Sequence, residues 1–142
     1  MKLIRRLRKP QPVTKKKVIE LEVGGPLGRW MASQNWGAFT LPLPFLVLIF
    51  YWSADPQGDV DGRIRVHEFV HVTQDERSLF FAVSWVKYLW AMWSALHLSA
   101  WRAGVLTLGQ VLMDAYYGNA YEVEAYQTQV TAQNYGLPSW AQ

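Results

Sequence analysis

Apolar and polar positions alternate in part between Val13 and Val23, where Ile19, Leu21 and Val23 are interleaved with Glu20 and Glu22. That period of two predicts a half-buried strand, ended by Gly24, Gly25 and Pro26. From Gly37 to Trp52 the chain is strongly apolar and turns β-favouring toward its end, with Pro42 and Pro44 breaking its first half. It reads as a buried or edge strand, and its length and prolines argue against a transmembrane helix. The cluster DPQGDVDG, Asp55 to Gly62, is a turn that delivers the chain to a helix starting near Asp61 or Gly62. Its aspartates do not follow the spacing of a calcium-binding loop, and no closing glutamate is in position.

Leu79 to Trp101 is almost wholly apolar, and Ser84, Lys87 and Ser94 trace one narrow polar stripe at helical spacing. A largely buried helix is predicted, one that also supplies a subunit or membrane-surface contact. Lys87 in a bilayer would cost roughly 2.5–3.5 kcal/mol, which the surrounding Leu, Phe and Trp can offset, so the pattern leaves a membrane span open. A further helix is expected over Val105 to Tyr117, broken by Gly118 and Asn119, and a last one from near Ala120 to just before Gly136 and Pro138. The sum is an α+β chain: a mostly helical domain with a small N-terminal β-sheet packed on the central helix and the later helices.

A length of 142 residues suits one domain with a hydrophobic core. Eight tryptophans are many for this length, so something apolar must cover them. Charge is uneven. Lys2, Arg5, Arg6, Arg8, Lys9, Lys15, Lys16 and Lys17 all precede the first acid, Glu20, and the remainder is mildly acidic. We therefore expect a basic flexible arm over residues 1–17, able to contact nucleic acid or anionic lipid, and a single domain over 18–142. The start has the positive character of a signal peptide, but Pro10, Pro12 and the lysine run stand where an apolar stretch should follow, so no secretory signal is expected and the localisation stays open among cytoplasm, virion and membrane surface. There is no cysteine, hence no disulfide framework and no thiolate metal site.

The predicted helix after Gly62 contains His67-Glu68-Phe69-Val70-His71, an HExxH motif. Residues four apart project about 40° from one another on a helix, so both imidazoles can reach one ion, while Glu68 can hold a water there and take its proton as general base. Val66, Phe69 and Val70 give the helix an apolar side to anchor it. A catalytic site needs a third protein ligand and an open fourth position. The extended pattern with a third histidine is absent, since position 74 is Gln and position 77 is Arg, and His97 lies in the apolar helix. A carboxylate is the natural remaining donor. Glu122 and Glu124 stand two residues apart, about 160° around a helix, so only one can face the histidines.

The stretches GAFT (37–40), HEFVHVTQ (67–74) and YYGNAYEVEAY (116–126) resemble the small single-domain HExxH peptidases of bacteria and phages, compact relatives of the gluzincins. The resemblance covers roughly residues 37–130. It implies a zinc metallopeptidase in which Glu122, followed three residues on by Ala125, is the third ligand with His67 and His71. Two positions depart from that pattern: Tyr126 stands where an aspartate usually orients a ligand histidine, and Ala120 where proline often follows Asn. Asn119, Tyr126 or Asp114 would have to orient the histidines instead. Tyr116, Tyr117 and Tyr121 are close in sequence to the third ligand, and Tyr117 is the preferred oxyanion donor. The strand around Ala38 to Leu41 is expected to offer a backbone edge to an extended peptide substrate. Two other functions fit the same residues. One is a non-catalytic, metal-stabilised component of a phage particle or other assembly. The other is a membrane-associated interaction protein, with residues 79–101 mediating homo-oligomer or lipid contact.

Overall fold

The structure, a computed structural model, describes residues 4–34, 37–53, 60–77, 83, 85–94 and 118–142. Four strands, β1 (Ile4–Arg6), β2 (Lys17–Val23), β3 (Ala38–Pro42) and β4 (Leu46–Trp52), form one mixed sheet in the order β1-β2-β4-β3. The central pair β2 and β4 is parallel, and both outer strands are antiparallel to their neighbours. Helix α1 (Gly25–Ser33) connects β2 toward the β3–β4 hairpin. Helix α2 (Gly62–Glu76) lies on one face of the sheet, packed against β3 and against α3 (Ala120–Tyr135), and a short 3-10 turn, Ser139–Ala141, closes over it. The fold class is α+β, with the small N-terminal sheet resting on the motif helix.

Capping explains the helix ends. Asp61 accepts a hydrogen bond from the Arg63 backbone N–H and starts α2; Asn119 does the same for the Tyr121 N–H and starts α3. Gly136, with φ of 98°, ends α3 in a conformation that side chains disfavour. Gly62 permits a close approach: a Cβ there would collide with the Ala141 carbonyl oxygen. That approach seats Trp140 edge-on against Phe69 of α2, ring centroids 4.9 Å apart. The core beneath combines Phe69 and Val72 with Val18, Val47, Ile49, Tyr51 and Leu7.

Three expectations are corrected. First, the apolar stretch 37–52 is a hairpin of two strands, turned by a Leu43 N–H to Leu46 carbonyl bond of 2.9 Å. Proline causes this: Pro44 lies in the turn, and Pro42 is tolerated because β3 lies at the sheet edge. Second, β2 faces the opposite way to its apolar pattern. Val18, Glu20 and Glu22 are buried, while on the other face Ile19 and Leu21, paired in register with Leu48 and Phe50, lie half-buried and only Val23 at the strand's end is buried. Glu20 can be buried because Arg65 of α2 grips it bidentately, at 2.8 and 2.9 Å, and because Tyr51 and Gln11 donate to the same carboxylate at 2.9 and 2.7 Å. Burial, followed by the Glu20 charge, raises the Tyr51 pKa well above the ordinary phenol range, which keeps this hydroxyl a donor.

Third, the basic segment is not a flexible arm over its described part. Ile4–Arg6 pairs with β2, Leu7 is buried in the core, and the Pro10 carbonyl accepts from Arg65 at 2.9 Å. Farther along, the Lys15 and Lys16 backbone N–H groups donate to Glu76 at 2.6 and 3.1 Å, and the Lys16 ammonium bridges Asp75 and the Leu43 carbonyl. The charge run thus becomes an edge strand and a strap. Arg5 and Arg6 are exposed on β1, which ends the sheet among the described strands, where charge discourages pairing with another chain.

Candidate metal centre

His67 and His71 lie one turn apart on α2, and Glu122 reaches them from the first turn of α3, where a carboxylate is favoured by the helix dipole. The Glu122 carboxylate spans both rings: Oε2 is 3.2 Å from His67 Nε2, and Oε1 is 3.5 Å from His71 Nε2. All three donor atoms lie within 4.8 Å of one another. Tetrahedral zinc with bonds of about 2.0–2.1 Å separates its ligand atoms by about 3.3–3.4 Å, and the two histidine–carboxylate distances bracket that value, each through a different carboxylate oxygen. They are also the right chemistry: two imidazole nitrogens and one carboxylate oxygen, with both Nε2 atoms turned to the same point.

Burial makes this an electrostatically tense place. Glu122 is 2% exposed. Burial alone would raise its pKa, but the hydrogen bonds to His67 and His71, and their charges, outweigh it and hold the carboxyl well below the usual range. Burial likewise opposes a proton on His71, yet the bond and charge of Glu122 prevail and raise its pKa. A buried carboxylate held between two imidazoles is a donor set of the kind that binds a divalent cation.

Around this centre the neighbours are specific. His71 Nδ1 is 2.8 Å from the Gln74 side-chain oxygen, and the Gln74 amide donates in turn to the Tyr121 carbonyl and to Glu124. Gln74 therefore fixes the ring of His71 and turns its Nε2 inward. His67 is held by packing: the Tyr126 ring meets it edge-on, centroids 4.4 Å apart, and His67 Nδ1 is buried with no hydrogen-bond partner among the described residues. Glu68 is buried beside the pair, and the Thr40 hydroxyl of β3 donates to its Oε2 at 2.6 Å. Burial lifts the Glu68 pKa above the ordinary carboxylate value, against the lowering effects of His71 and of the Thr40 bond. From the helical segment 85–94, the Tyr88 hydroxyl donates to Glu122 Oε1 at 2.9 Å.

Of the residues singled out in the sequence, His67, His71, Glu122 and Glu68 are brought together. Glu124 is not; it points outward to Gln74 and Arg77. Asn119 caps α3 through its side-chain oxygen. Tyr117, together with Tyr116, His97 and Asp114, lies outside the described residues. Three neighbours were missed: Thr40, Gln74 and Tyr88. Gln74 carried a signal, because a residue three beyond His71 shares its helical face. Thr40 and Tyr88 arrive through tertiary packing, for which the linear pattern offers no spacing rule. No protein-family model, curated protein or solved structure matches this chain.

Proposed function

We propose that the protein is a zinc-dependent metallopeptidase of the compact gluzincin-like kind, with His67, His71 and Glu122 as the metal ligands and Glu68 as the general base. One observation carries the reading: the only acid of α3 turned toward the motif histidines meets both Nε2 atoms at spacings suited to tetrahedral zinc. Zinc bound there supplies a Lewis acid that acidifies water and polarises a peptide carbonyl.

The chain's own groups do the rest. Glu68, its pKa raised by burial and its carboxylate aimed by Thr40, takes a proton from the attacking water and returns it to the leaving amine. Tyr88 donates its hydroxyl proton to Glu122 Oε1 and so orients that carboxylate, while Tyr117, outside the described residues, keeps the oxyanion-donor role expected of it. Substrate lies along β3. That strand ends the sheet and pairs with β4 alone among the described strands, and Thr40 joins it directly to the base. An extended peptide added there as a further strand has its scissile bond beside Glu68.

The test is hydrolysis of a library of unstructured peptides by the zinc-loaded protein. Cleavage of internal bonds is expected, lost on chelation and restored by zinc. Firmly bound zinc with no cleavage of any peptide would favour the structural, metal-stabilised component instead.

A further inference from the structure

Residues 85–94 form a helix with two differently engaged faces. One face turns to the site: the Trp85 indole N–H donates to the Pro42 carbonyl of β3 at 3.3 Å, and Tyr88 reaches Glu122. Roughly a third of a turn away, Val86, Leu89, Trp90 and Trp93 follow one another at helical spacing. These four large apolar side chains are between 60% and 69% exposed. A continuous apolar stripe of this kind marks an interaction surface.

The charge pattern says what covers it. Between Arg77 and Asp114 the sequence has no acidic residue, and its formal charges are those of Lys87 and Arg102. Lys87 is exposed on the flank of the stripe. Indoles settle at the level of lipid headgroups, aliphatic side chains enter the acyl boundary, and a lysine at the rim meets anionic phosphate. Among the described residues no helix is long and apolar enough to cross a membrane. We propose that the Val86, Leu89, Trp90 and Trp93 stripe docks on an anionic lipid bilayer, with Lys87 at its rim. The contact uses no metal ligand and stands independently of the peptidase reading.

Sedimentation of the full chain with phosphatidylcholine vesicles, with and without phosphatidylglycerol, tests this. Binding is expected to the anionic vesicles, with a blue shift of tryptophan emission. W90S/W93S should weaken it about tenfold or more at an unchanged circular dichroism spectrum. K87E should weaken binding to anionic vesicles and leave binding to neutral ones unchanged. The proposal is overturned by no binding to anionic vesicles, by equal binding with and without phosphatidylglycerol, or by binding that neither variant affects. It is equally overturned if the same substitutions abolish a concentration-dependent dimer while vesicles are ignored, since the stripe would then belong to a second copy of the chain.

Discussion

Replacing Glu68 with Gln is expected to lower peptide turnover by about 10²–10⁴-fold while zinc stays bound at one per chain. The amide has nearly the shape of the carboxylate, and its oxygen can still accept the Thr40 hydroxyl that holds Oε2 at 2.6 Å. What it loses is the capacity to take a proton. The proposed ligands His67, His71 and Glu122 are untouched, so metal content and activity should separate, which a purely structural zinc site would not produce. Metal analysis beside turnover of a peptide substrate makes the comparison. Cleavage at the parental rate would remove Glu68 from the mechanism.

The second large effect concerns stability. Glu20→Ala should destabilise the fold by about 3–5 kcal/mol, because it strands a buried guanidinium. Both side chains of the pair are fully buried. Without Glu20, Arg65 keeps the Pro10 and Trp140 carbonyls and the face of the Trp140 ring, and the Tyr51 hydroxyl loses its carboxylate acceptor. Removing both partners should cost less than removing one: Glu20→Leu with Arg65→Met takes away the unpaired charge as well as the pair. Urea unfolding, read at constant slope, separates these cases. A loss below about 1 kcal/mol for Glu20→Ala would mean that the pair does not hold the strap, the sheet and α2 together as described.

The same pair explains why some of the fold was legible in the sequence and some was not. The helix boundaries were readable, since Asp61, Asn119 and Gly136 act through bonds and dihedral angles within a few residues of themselves. The grouping of His67 with His71 follows from helical geometry, and the choice between Glu122 and Glu124 reduced to which of two opposed directions faced inward. The facing of β2 was not readable. Both of its faces carry apolar residues, and the deciding term is a salt bridge between positions 45 apart in sequence. Ile19, Leu21 and Val23 share one face and Val18 stands on the other with the two glutamates, so the bridge decides the facing against the hydrophobic pattern.

The N-terminal segment failed for a related reason. Eight basic residues before the first acid describe a solvated arm, but the backbone carries the contacts here: β1 pairs through its main chain, and Lys15 and Lys16 dock through their N–H groups on Glu76. Composition cannot report that. At the candidate metal centre, Thr40 and Tyr88 come from a strand and a helical segment on either side of α2 in sequence. Each contributes one hydroxyl that becomes meaningful only when the elements meet. Thr40 did fall within the GAFT stretch that carried the family resemblance, so its neighbourhood, though not its role, was marked.

Calorimetric titration of the metal-free protein with zinc tests the central claim most directly. The account predicts one zinc per chain, with affinity lowered on the order of a hundredfold or more by Glu122→Ala and by His71→Ala, and the same stoichiometry retained in Glu124→Ala. Zinc bound as tightly by the Glu122→Ala protein as by the parent would contradict it, because the carboxylate between the two imidazoles would then not be a ligand.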